Sequence, residues 1–245
     1  MNNFEDPRPM FVRALDQAQQ LMESVRPEEL DLPTPCTEYG VRTLLGHLLT
    51  VIGRIDLALS GEDIFSIPTV TETDDVAGLW KERRTALEAT LAEDDVLERV
   101  CRVPWGTVSG AVALNSYARE LATHSWDLAK ATSRLDVLDD GIATYLLPMS
   151  KQYLPAEPRG GQIPFDAVVP IADDAAPYDQ LVAWQGRRPY AIPPFNVRPP
   201  SIVMVWPVIQ DASSDSRNQT REATSSGRPS RPSGYVDATF SSRPS

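Results

Sequence analysis

The chain has 245 residues, 42% of them hydrophobic, a formal net charge of −11 and a mean hydropathy of −0.27. That length can bury a sizeable core, and no apolar run approaches the roughly 20 residues of a membrane-spanning helix. The acidic balance argues against DNA or RNA as a partner, because phosphate binding needs a cationic surface.

The charge is unevenly spread: from Arg187 onward eight Arg face four Asp or Glu, so the preceding part is more acidic than the total suggests. The opening MNNFEDPRPM lacks the basic-then-apolar order of a secretory signal. Cys36 and Cys101 are too few and too far apart for a disulfide framework, so a reducing, cytoplasmic setting is expected.

In chain order, Phe11, Ala14, Leu15, Ala18, Leu21, Met22 and Val25 follow the i, i+3, i+4, i+7 rule and predict a first helix that Pro27 ends. A second helix is predicted over 41–59, with Leu44, Leu45, Leu48, Val51, Ile52 and Ile55 on one face and Gly61 as its stop. A third starts near Asp74 with Thr73 as N-cap and runs through Val76, Leu79, Trp80, Leu87 and Leu91. Residues 96–110 carry Val100, Val103, Trp105 and Val108 around Pro104 and Gly106 and read as a short hairpin or extended excursion. A fourth helix covers about 112–131 through Leu114, Tyr117, Leu121 and Leu128; a fifth covers about 136–153, and a short sixth about 178–184. Helices of this length on mostly short connections predict an all-α fold, an antiparallel four-helix bundle with C-terminal helices appended.

Composition breaks near residue 190. The stretch from Arg187 holds nine Pro and eleven Ser, too little apolar surface to offset its chain entropy. The expected organisation is a helical domain over 1–189 and a disordered Pro/Ser/Arg-rich tail over 190–245.

The two histidines both fall in these helices, on or beside the apolar stripe. His47 lies one turn from Leu44 and from Val51, and His124 continues the series Leu114, Tyr117, Leu121. Glu120 precedes His124 by four residues, so the two side chains share a face. A carboxylate aimed at a core is costly unless neutralised or paired, and a metal ion would do both. Two imidazoles and one carboxylate suit zinc or a similar divalent ion and leave a fourth position open, as catalytic sites do. Asp127 could hold an imidazole N–H of His124. Spacing alone leaves a second reading open, in which the histidines are core residues and Glu120 pairs at the surface.

Three segments carry a resemblance. PTPCTEYGVRTLLGHLL (33–49) and ELATHSWDLAKAT (120–132) resemble the two signatures of the mycothiol-dependent maleylpyruvate isomerase N-terminal domain, within the DinB/YfiT-like metal-binding four-helix bundles. PFDAVVPIADDAAPYDQLVAWQGRRP is similar to the closing segment of actinobacterial members. The resemblance implies metal ligation by His47, Glu120 and His124, with mycothiol or another thiol as cosubstrate of a transferase or isomerase acting on a small electrophile. Zinc is the expected metal, with nickel and manganese as alternatives. Tyr39 stands where the family usually has Trp, and Gly40 where a better capping residue is common. The isomerase's separate C-terminal domain has no match in the Pro/Ser-rich stretch, which speaks against maleylpyruvate itself as substrate. The alternative function is a non-catalytic metal- or small-ligand-binding helical module.

Overall fold

A computed structural model describes residues 6–160 and 165–190. The expected disordered tail falls almost wholly outside the described residues. Among the described residues, six α-helices, one two-stranded sheet and three short 3-10 turns make up the regular structure, which is mostly helical, as expected for an all-α chain.

Helix α1 (Arg8–Ser24) buries Phe11, Ala14, Leu15, Ala18, Leu21 and Met22, the face its periodicity marks. It stops because Arg26 precedes Pro27 and takes extended backbone, which the proline ring enforces on its predecessor. Helix α2 (Val41–Leu59) is buried on nearly every side, since α3 and α4 both pack on it; its composition, apolar around most of the circumference, is that of a core helix. Gly61, at φ +76°, ends it, and the Glu62 N–H closes back on the Leu57 carbonyl at 2.8 Å. That pairing satisfies a helix-end carbonyl, and the left-handed conformation costs glycine no Cβ clash.

Helix α3 (Val76–Leu91) is capped by Asp75, whose carboxylate accepts the Gly78 N–H at 2.8 Å. The expected cap, Thr73, instead accepts the Asp75 N–H at 3.0 Å and sets up that turn. An aspartate adjacent to the first turn also meets the helix dipole with a full charge, which a hydroxyl cannot. Strands β1 (Val100–Val103) and β2 (Gly106–Ser109) pair antiparallel, Cys101 opposite Val108, and confirm the hairpin.

Helix α4 (Gly110–Ala131) follows at once, capped by Ser109, and packs against both α1 and α2. Helix α5 (Asp140–Tyr153) starts four residues later than expected: a single 3-10 turn occupies Leu135–Val137, and the Asp139 carboxylate caps α5 through Gly141. Helix α6 (Pro177–Trp184) packs on α5. No helix among the described residues is long and apolar enough to cross a membrane.

The turn between α1 and α2 is tied to the end of α4 by an ion pair. Arg134 donates from both terminal nitrogens to Glu29, at 3.0 Å each, and Arg26 adds two more bonds, from its backbone N–H and from Nη2, at 2.8 Å each. Together, chiefly through Arg134, these hold the Glu29 carboxyl down at about 2, against an ordinary 4.5. A depressed folded-state pKa gives stability that is complete above about pH 4.5 and lost as pH falls toward 2. Urea midpoints of the parent are therefore expected to fall over that window, and Glu29→Gln to flatten that part of the slope. An unchanged slope in the variant would assign the acid sensitivity to other groups.

Candidate metal centre

His47 sits on α2, 5% exposed, and His124 on α4, 4% exposed, facing each other across the packed pair of helices. Their ring centroids are 4.8 Å apart and nearly perpendicular. Glu120 lies between them, its Oε1 at 3.3 Å from the Nε2 of each imidazole. The structure thus brings together all three residues that the sequence singled out, with one donor atom of each within 4.8 Å of the others. Glu120 keeps 23% of its side-chain surface, so the cluster opens to solvent on the carboxylate side.

Each imidazole is oriented through its other nitrogen. His47 Nδ1 lies 3.1 Å from the Thr69 carbonyl, which can only accept, so the proton is on Nδ1 and Nε2 is turned to the cluster. His124 Nδ1 lies 3.0 Å from Asp127 Oδ2, the contact expected from the sequence, and its Nε2 is turned inward likewise. Burial works against charge here, yet hydrogen bonds from His124 and His47 win and hold the Glu120 carboxyl well below its ordinary range. His124 is pushed up to about 9: burial opposes its charge, but Asp127 and Glu120 outweigh it.

The donor set fits a divalent ion. Bonds of about 2.0–2.1 Å to a tetrahedral zinc place neighbouring donors roughly 3.3 Å apart. Both imidazole–carboxylate separations are 3.3 Å. With Nδ1 of each ring committed to Thr69 or Asp127, Nε2 is the nitrogen left for a metal, which would displace the proton that Nε2 shares with Glu120.

A second group of donors, Cys36, His124 and Asp127, also converges. Asp127 already meets Arg187 through both oxygens, and His124 Nδ1 is committed to Asp127. Burial pushes the Cys36 thiol up to about 12, so it stays protonated, as a small buried side chain.

Several contributors carried no sequence signal strong enough to find them. The Tyr39 ring lies 4.8 Å from His47 and 6.2 Å from His124, centroid to centroid, and covers one side of the imidazoles. Thr69 supplies a backbone carbonyl, to which side-chain patterns are blind. Arg187 comes from the far end of the domain. Gly46, one residue before His47, permits the close approach of the 67–75 segment: a Cβ there would lie 2.4 Å from the Thr71 carbonyl oxygen. Thr71 N–H bonds the Gly46 carbonyl at 3.1 Å, and Arg83 clamps the same segment through Leu49 O and Thr71 Oγ1. These Arg83 contacts are internal to the fold. Gly46→Ala is expected to push the segment off α2, costing about 1–3 kcal/mol by overpacking and freeing His47 Nδ1. Thermal unfolding checks the first effect and metal affinity the second; an unperturbed variant would mean the segment yields without moving Thr69.

Two histidines and a carboxylate from two packed helices, each imidazole held through its second nitrogen, define a helical protein with a buried His–Glu–His cluster. Residues 11–129 match the family model of the mycothiol maleylpyruvate isomerase N-terminal domain. An uncharacterized protein of Mycobacterium tuberculosis, found in two strains, is 27% identical over 185 residues, covering 74% of this chain and 98% of that protein. No solved structure matches the chain.

Proposed function

We propose that the protein binds one divalent metal through His47, Glu120 and His124, zinc in first place and nickel or manganese next. The observation that carries this reading is the pair of 3.3 Å separations from Glu120 Oε1 to two inward-turned imidazole nitrogens. We read α1–α4 as an antiparallel four-helix bundle of the DinB-like type, within a helical domain over 1–189, and 190–245 as a separate tail. The packing of α1 on α4, and of α2 on α3 and α4, supports that arrangement.

The family supports a thiol as one substrate, and mycothiol is the thiol its description names. We propose a mycothiol- or other thiol-dependent transferase or isomerase acting on a small electrophile. An ion held by three protein ligands would keep a position open and would favour the deprotonated form of a thiol there. The chain's own residues bind and orient. His47 and His124 are aimed by Thr69 and Asp127, Tyr39 keeps water off one side of the rings, and the partly exposed Glu120 marks the side of entry.

The test uses the cobalt-substituted protein. Adding mycothiol is expected to produce a sulfur-to-cobalt charge-transfer band, and a chromogenic electrophile is expected to be consumed only when metal and thiol are both present. The band without turnover across a panel of electrophiles would leave the non-catalytic module. Neither band nor turnover would overturn the thiol reading.

A further inference from the structure

The turn after α6 reaches α4 beside His124, although it lies 58 residues beyond the family match that ends at residue 129. Gln185, 1% exposed, accepts the Thr123 hydroxyl at 2.9 Å. Arg187 donates from Nε to Asp127 Oδ1 at 3.2 Å and from Nη2 to Oδ2 at 3.0 Å. Asp127 has no exposed side-chain surface, and the same Oδ2 receives His124 Nδ1 at 3.0 Å. One buried carboxylate therefore joins a guanidinium fork to one of the two imidazoles of the cluster.

The fork is delivered by a constrained turn. Gly186 stands at φ +87°, and a Cβ there would lie 2.8 Å from the Asp166 carbonyl oxygen. The N–H groups of Gly186 and Arg187 close back on α6, to Ala183 O at 3.1 Å and Val182 O at 2.9 Å. Only glycine takes this conformation at such close quarters. The turn fixes where the Arg187 backbone starts, and the planar fork fixes where it ends.

We propose that Arg187 is a positioning residue of the metal centre: its fork locks the Asp127 carboxylate, which holds His124 in the Nδ1–H form with Nε2 turned to Glu120. The inference rests on the reading of His47, Glu120 and His124 as ligands. A carboxylate bonded to an imidazole alone can rotate about its own side-chain torsions, and the ring follows it. Two parallel bonds to a guanidinium remove that freedom. The segment from α6 to Arg187 is thus a working part of the centre rather than an appendage to the bundle.

The test measures zinc affinity of the full chain by chelator competition for the parent, Arg187→Met and Arg187→Lys, with cobalt spectra alongside. Arg187→Met is expected to bind about 10–100-fold more weakly, the usual cost of losing an outer partner of a metal ligand, and to shift the cobalt d–d bands. Arg187→Lys keeps the charge without the fork and is expected to fall between. A variant that only melts earlier, while its folded form keeps the parent's affinity and spectrum, would overturn the proposal. If Arg187→Met does not fold, Arg187→Lys decides, and parental affinity there overturns it equally. A parent that binds no metal would overturn the ligand assignment and this inference together; a metal-binding parent with indifferent Arg187 variants would overturn this inference alone.

Discussion

His124→Ala is expected to strip the purified chain of stoichiometric metal, with zinc affinity falling more than about 100-fold, beyond what loss of an outer partner costs. The substitution removes one of three donors, leaving His47 and Glu120 to hold the ion with two sites open to water. It also removes the group that connects the buried Asp127 to the cluster. Elemental analysis reads the metal, and circular dichroism shows whether α4 survives. A folded variant with parental metal content would place the ion elsewhere.

The largest expected effect on stability comes from Asp127→Ala, at about 3–5 kcal/mol, the cost of breaking a buried ion pair by removing one partner. Asp127 is fully buried and Arg187 is 19% exposed, so the guanidinium would lose both its acceptors where little water can replace them. His124 Nδ1 would lose its partner as well. Set against a typical domain stability of about 5–15 kcal/mol, this loss leaves a marginal protein. Urea unfolding at neutral pH gives the number. A cost under about 1 kcal/mol would mean that the turn carrying Arg187 swings out and finds water.

The helices were legible because their apolar residues keep the 3.6-residue period. α2 matches its predicted span of 41–59, and α4 starts two residues before its prediction. Starts were harder to read where two capping residues compete within a few positions. Thr73 and Asp75 both accept backbone N–H groups, and which of them begins α3 depends on local backbone geometry that residue type does not encode. Asp139 displaced the start of α5 for the same reason.

The site was legible in parts. His47, Glu120 and His124 stand out as polar residues on apolar faces, and the four-residue spacing puts two of them together on α4. That His47 meets them is a matter of helix packing, which periodicity does not contain. Asp127 was legible because it shares the α4 face with His124. Arg187 was not: its partner lies 60 residues away in sequence, and the contact exists only because Gly186 turns the chain back toward α4. Tyr39 likewise lies in a segment without period, and its place over the imidazoles follows from the loop that leads into α2. The family match covers the three expected ligands and Asp127, while Arg187, which bonds Asp127, lies outside it.

The most direct test of the account is the divalent-metal content of the purified parent protein, measured by elemental analysis before and after reconstitution with zinc. The account predicts close to one ion per chain. No bound metal after reconstitution with zinc, nickel or manganese would contradict it, and His47 and His124 would then be core residues paired through Glu120.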